Sequence, residues 1–183
     1  MNLIIKKRSL KQLLWIGIGS IIMFFAGLTS AYVVRKPQGN WVEFLLPDWF
    51  LYSTIVIVIS SIILVIAKIK INQKKVSFNL VLGTFILGIV FSFFQFKGWQ
   101  ELINQGVFLT GKGSNVSGSF LYVITLAHLV HLIGGLIAIL ITAIKTSQGK
   151  YTDIDCLGFD LSAIYWHFVG LLWIYLFLFL KYF

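Results

Sequence analysis

Charge is scarce in this sequence. Asp, Glu, Lys and Arg make up 11% of its 183 residues, under half the share of an ordinary soluble domain, which is about 25%. That shortage excludes a soluble globule with its apolar residues turned inward. Cysteine is scarcer still: Cys156 stands alone, so an internal disulfide is excluded, and its segment, assigned below to the cytoplasmic side, keeps it a reduced thiol. The two prolines, Pro37 and Pro47, fall in a single connection, so no long apolar run is interrupted by one. Acidic residues number six against fifteen basic ones, a formal net charge of +9. The excess does not indicate nucleic acid as a partner. A nucleic-acid binder interleaves basic residues along a water-exposed face. Here they collect at the ends of apolar runs: Lys6, Lys7, Arg8 and Lys11 before the first, and Lys68, Lys70, Lys74 and Lys75 after the second. This is the pattern by which a membrane protein fixes its orientation.

What is plentiful is apolar surface, 58% of the residues. It falls into five runs, at 12–34, 49–67, 78–99, 119–144 and 158–180, each near the length of about 20 helical residues that crosses a hydrocarbon core. Strands of a membrane barrel would alternate apolar and polar residues; "STIVIVISSIILVIA" does not. The expected fold is therefore an all-α membrane protein, one transmembrane domain over 1–183 built as a bundle of five transmembrane helices. Lys and Arg counts put the N-terminus in the cytoplasm and the C-terminus in the periplasm: the N-terminal segment and the second connection carry four each, while the first connection has Arg35 and Lys36, the third Lys112, and the fourth Lys145 and Lys150. The closing "KYF" supplies a snorkelling lysine and aromatic anchors. The first run resembles a secretory signal core around Ser30 and Ala31, but it is longer than such a core and continues past them, which favours a retained helix.

Polar groups sunk in spans are costly and are functional candidates by default. They are Thr29 and Ser30 in the first run, Gln95 with Lys97 and Glu101 toward the end of the third, Thr125, His128 and His131 in the fourth, and His167 within "YWHF" of the fifth. His128 and His131, three apart, share a helix face, and with His167 would give three nitrogens for a metal. Against this, metal-bound imidazoles are usually oriented by carboxylates or carbonyls, and no acid lies deep in a run: Asp160, at the start of the fifth, and Glu101, past the end of the third, belong near opposite membrane surfaces. A bis-histidine haem could draw on the fourth and fifth helices only. A proton relay suits histidine but would lack a mid-membrane carboxylate. A small transporter would favour broken spans or inverted repeats, and neither is evident. The remaining reading is that His128, His131, His167, Gln95 and Trp166 are polar contacts between helices, worth on the order of 0.6–2 kcal/mol each. Small residues four apart (Ala26 and Ser30, Gly27 and Ala31, Gly134 and Ala138) would allow close helix approach, within the chain or to a partner.

Four segments in order resemble subunit III of haem–copper respiratory oxidases in its five-helix bacterial form. "YWHFVGLLWIYLF" (165–177) is similar to that family's "YWHFVDxxWxxLF", and "AHLVHLIGG" (127–135) to its "HGLHVxxG". "FFAGLTSAYVVR" (24–35) is similar to its first helix, and "LGTFILGIVFSFFQFKGWQELINQGVF" (82–108) to its third helix and following loop. Two family carboxylates are replaced, by Gly98 and by Gly170; Glu101 falls at a second acidic position of some members and is the residue left for a proton-related role. The resemblance implies an accessory subunit of a bacterial terminal oxidase in the inner membrane, without catalytic residues and with no cofactor in this chain. It implies haem and copper in partner subunits, subunit I as main partner beside subunit II, bound phospholipid, and support of proton uptake in aerobic electron transport. The donor to such a complex is cytochrome c, or a quinol in the bo-type relatives; a nitric oxide reductase-associated homologue is a further member of the same group. From another class, a stand-alone metal- or haem-binding membrane protein stays open at this point.

Overall fold

In a computed structural model, which describes residues 3–39, 41–42, 44–72, 78–111, 114–149 and 156–183, the chain is a bundle of five long helices. They are α1 (Leu3–Arg35), α2 (Asp48–Asn72), α3 (Phe78–Asn104), α4 (Val116–Ser147) and α5 (Leu157–Tyr182), with a single 3₁₀ turn at Lys36–Gln38. All five are long and apolar enough to cross a membrane, and no strand occurs among the described residues. The β-branched wealth of α2 would suit a strand in water. In lipid every backbone group must be satisfied internally, and the helix does that within one segment.

Each helix outruns its hydropathy-defined run. α1 begins at Leu3 instead of 12, and α3 continues to Asn104 instead of 99. Hydropathy marks where hydrocarbon ends, whereas a helix goes on into the headgroups as long as its residues favour helix, as Lys and Arg do. α3 stops by geometry. The Val107 N–H reaches the Leu102 carbonyl at 2.9 Å and the Gly106 N–H the Ile103 carbonyl at 3.0 Å. With Gly106 at φ 79° and Leu102 and Val107 both buried, this is a Schellman ending, in which glycine takes the left-handed position.

α2, α3, α4 and α5 share the main core, which includes Phe50, Ile57, Leu64, Phe91, Leu132, Trp166 and Trp173. α1 lies outside it, on α4 and α5, through a smaller cluster of Phe25, Tyr32, Ile124, Leu172 and Leu176. Close approach is bought with glycine at Gly88, where a Cβ would stand 2.6 Å from both Leu136 Cδ2 and Trp166 Cη2. The small pairs of α1 do not serve this purpose inside the chain: Ala26, Gly27, Ser30 and Ala31 are all exposed, and nothing lies within 4 Å of a Cβ built on Gly27. On α4 it is Gly135 that admits the Trp166 ring (3.2 Å), while Gly134 meets the Tyr165 hydroxyl at 3.6 Å.

Asp160, near the start of α5, pairs with Lys68 at 2.9 Å and with Lys11 at 3.9 Å. The start of α1, the end of α2 and the start of α5 therefore meet at one end of the bundle. At the other end, the Lys36 ammonium donates to the Phe183 carbonyl. Lys74, Lys75, Lys112 and Lys150, which enter the charge count, lie outside the described residues.

Candidate functional site

Four N–H donors of the bundle interior follow one scheme. An indole or amide N–H of one helix donates to a hydroxyl of a neighbour. Trp166 Nε1 reaches Ser60 Oγ at 3.0 Å, Trp173 Nε1 reaches Thr54 Oγ1 at 3.0 Å, and Trp99 Nε1 reaches Thr125 Oγ1 at 3.0 Å. Gln95 Nε2 donates to Ser53 Oγ at 2.9 Å. Each hydroxyl is itself held by a carbonyl: Ser53 and Thr54 both donate to Phe50 at 2.8 Å, Thr125 to Leu121 at 2.8 Å, and Ser60 to Thr84 of α3 at 3.4 Å. A hydroxyl carries one proton and two lone pairs, so it can accept from the indole while giving its proton to the backbone. Such a unit satisfies a tryptophan in hydrocarbon and ties α5 to α2, α3 to α4 and α3 to α2.

No residue of the second span is among the sequence candidates, yet α2 supplies Ser53, Thr54 and Ser60. The signal was present: four Ser and Thr residues in the apolar stretch of this helix, with Ser53 and Ser60 seven apart and Thr54 and Ser61 seven apart, a spacing that returns to one face. Trp99 and Trp173 were missed for the same reason, since an indole reads as apolar bulk until its N–H finds a partner.

The three histidines do not converge. Among the described residues no three His, Cys, Asp or Glu side chains gather so as to hold a metal ion. His128 is fully enclosed, and neither of its ring nitrogens has a hydrogen-bond partner. The expected interhelical hydrogen bond is absent there because aromatic rings surround the imidazole: Trp173 at 5.1 Å between centroids, Phe91 at 6.0 Å and Phe25 at 6.4 Å. These rings come from α5, α3 and α1, so His128 sits where four helices meet and contributes as an aromatic filler. His131 donates from Nδ1 to the Ala127 carbonyl of its own helix at 2.7 Å and packs edge-on against Phe25 at 5.5 Å; its backbone carbonyl accepts from the Tyr165 hydroxyl at 3.1 Å. His167 faces outward, into a cleft between α2 and α5. Gln95 is buried with Oε1 unpartnered. Glu101 is exposed on the last turns of α3 and has no ion-pair partner among the described residues.

An unpartnered buried polar group costs about 1–3 kcal/mol. His128→Leu, which keeps apolar bulk and removes that cost, is therefore expected to leave the chain at least as resistant to thermal unfolding in detergent as the parent. A clear fall in melting temperature would show that the imidazole is hydrogen-bonded.

The two glycines at positions where the resemblance implies carboxylates have different surroundings. A Cβ at Gly98 would lie 2.9 Å from Phe50 Cζ, so the Phe50 ring occupies the room an acid would need. A Cβ at Gly170, which is buried, would meet Ile57 Cγ1 and Ser61 Oγ of α2 at an ordinary 3.4 Å.

Comparison with known proteins places these features in a family. Residues 42–183 match the family described as Cytochrome c oxidase subunit III. The chain is 32% identical over 182 residues to a "Probable cytochrome c oxidase subunit 3" of Nocardia farcinica, covering 92% of this chain and 84% of that one. It is 31% identical over 180 residues to the protein of the same name from Mycobacterium tuberculosis, with the same coverage. A "Heme-copper oxidase subunit I+III" of Aeropyrum pernix is 24% identical over 180 residues, which span 91% of this chain and 22% of that longer protein.

Proposed function

This chain belongs to the cytochrome c oxidase subunit III family, a multi-pass membrane component of an oxidoreductase complex, and from that premise we propose that it is the accessory subunit III of a bacterial terminal oxidase. In this reading it lies in the inner membrane with its N-terminus cytoplasmic, stabilises the catalytic subunit I, binds phospholipid beside it and supports proton uptake. Haem, copper and oxygen chemistry belong to subunits I and II. Cytochrome c is the favoured donor over quinol, because the relatives carry that name.

The observation that carries the accessory role is the use made of the interior polar groups. Trp99, Trp166, Trp173 and Gln95 are each engaged in joining one helix to another, and the histidines diverge to separate surroundings instead of enclosing a common point. A protein that performed redox chemistry alone would need ligands directed at one centre. A partner in the form of subunit I is supported by the fused I+III relative, in which a single polypeptide carries both.

The test is purification of the tagged chain in mild detergent from its own membranes. A haem–copper catalytic subunit is expected to co-purify with cytochrome c oxidase activity, and the chain, once separated, is expected to lack a Soret band. A separated chain that retained haem, or a preparation without any haem–copper subunit, would overturn the proposal.

A further inference from the structure

His167 and Ser61 share an unusual position. Both line the cleft between α5 and α2, which measures about 270 Å³ and is walled by Ile57, Val58, Ile62, Leu171 and Ile174 with Gly170 among its lining residues. Neither side chain has a hydrogen-bond partner among the described residues, and neither is fully enclosed. Their depth can be read from the helix ends. Asp160 and Lys68 pair at 2.9 Å at one end of the bundle; His167 lies seven residues beyond Asp160 and Ser61 seven before Lys68, so both are about 10 Å further in at 1.5 Å per residue. Hydrocarbon offers an imidazole and a hydroxyl nothing to bond, and polar groups at this depth face protein or water far more often than lipid.

We infer that this cleft is the seat of a transmembrane helix of the catalytic partner, subunit I, which places a hydrogen-bonding side chain between His167 and Ser61. The inference rests on the accessory-subunit reading and names the surface through which that role is exercised. Three features select a helix over an acyl chain. The paired polar groups call for a donor or acceptor, which an acyl chain lacks. Ser61 is small and only part-buried, which lets a helix backbone approach closely. The exposed rim of Val58, Ile62 and Leu171 is apolar enough to pack against the flanks of such a helix. Subunit I is the candidate because a relative of this chain is continuous with it.

The experiment uses the native complex. A benzophenone amino acid is placed in turn at Val58 and at Leu171, one on each wall of the cleft, and the membranes are irradiated before solubilisation. Adducts to the haem–copper catalytic subunit from both positions are expected. Adducts only to lipid, to a second copy of this chain or to a different subunit, or no adduct at all in a complex that still co-purifies, would overturn the cleft assignment. A parent chain that co-purifies with no haem–copper subunit would instead defeat the accessory-subunit reading itself. The polar part is tested by the His167→Leu/Ser61→Ala pair, which should leave the detergent-solubilised complex at least tenfold faster than the parent while its level in the membrane stays the same. Unchanged retention would overturn the hydrogen-bonding role.

Discussion

Trp166→Ala is expected to produce the largest loss of stability of any single substitution in this bundle. The side chain is fully buried, its ring covers Gly88 and Gly135 at distances no Cβ could tolerate or that fit one only tightly, and its N–H is held by Ser60. Truncating a buried tryptophan in a packed core costs about 3–5 kcal/mol, because the walls relax only partly into the void. The same walls here are the backbones of α3 and α4, fixed by their own helical bonds. Trp166→Phe separates the contributions. It keeps most of the ring and removes the bond to Ser60, so its cost should fall to the range of about 0.6–2 kcal/mol measured for interhelical hydrogen bonds in membranes. Unfolding by SDS in mixed micelles gives both numbers. Equal losses for the Ala and Phe variants would mean that the hydrogen bond, and not the packing, secures this joint.

Gly98→Glu should be comparably damaging, by a different route. Phe50 fills the space beside the α3 backbone at this point and packs against Trp173 at 6.0 Å between centroids. Even a methyl group must displace that ring, and overpacking of this kind typically costs about 1–3 kcal/mol. A carboxyl adds the cost of a buried polar group without a partner, about 1–3 kcal/mol more. Adding Phe50→Ala to Gly98→Glu should recover part of the loss by restoring room. If Gly98→Glu alone melted like the parent in the same micelle assay, Phe50 would not be the occupant of that space.

The five spans were legible because they depend on composition over about 20 residues, and an apolar run that does not alternate as a barrel strand would is left only the helix in lipid. Their ends were less so: nothing in hydropathy distinguishes a helix that stops at the hydrocarbon edge from α1, which begins at Leu3. The interior joints were the least legible. Trp166 and Ser60 are 106 positions apart in sequence, and only the packing of α5 on α2 pairs them. His128 and His131, prominent in sequence as two imidazoles on one face, have opposite polar circumstances, because their three-residue offset turns one into an aromatic enclosure and leaves the other beside its own helix carbonyl. His167 looked like its neighbours in the "YWHF" stretch, yet Trp166 points to the core and His167 to the outer cleft, a difference set by a 100° step along the helix.

The placement of α1 bears on biogenesis. It is made before α2 to α5, but the helices it rests on are α4 and α5, more than 80 residues further along the chain. During synthesis it therefore finds no principal seat within the chain until α4 is made, and that seat is complete only once α5 follows. The other four can close on one another in the order in which they leave the ribosome.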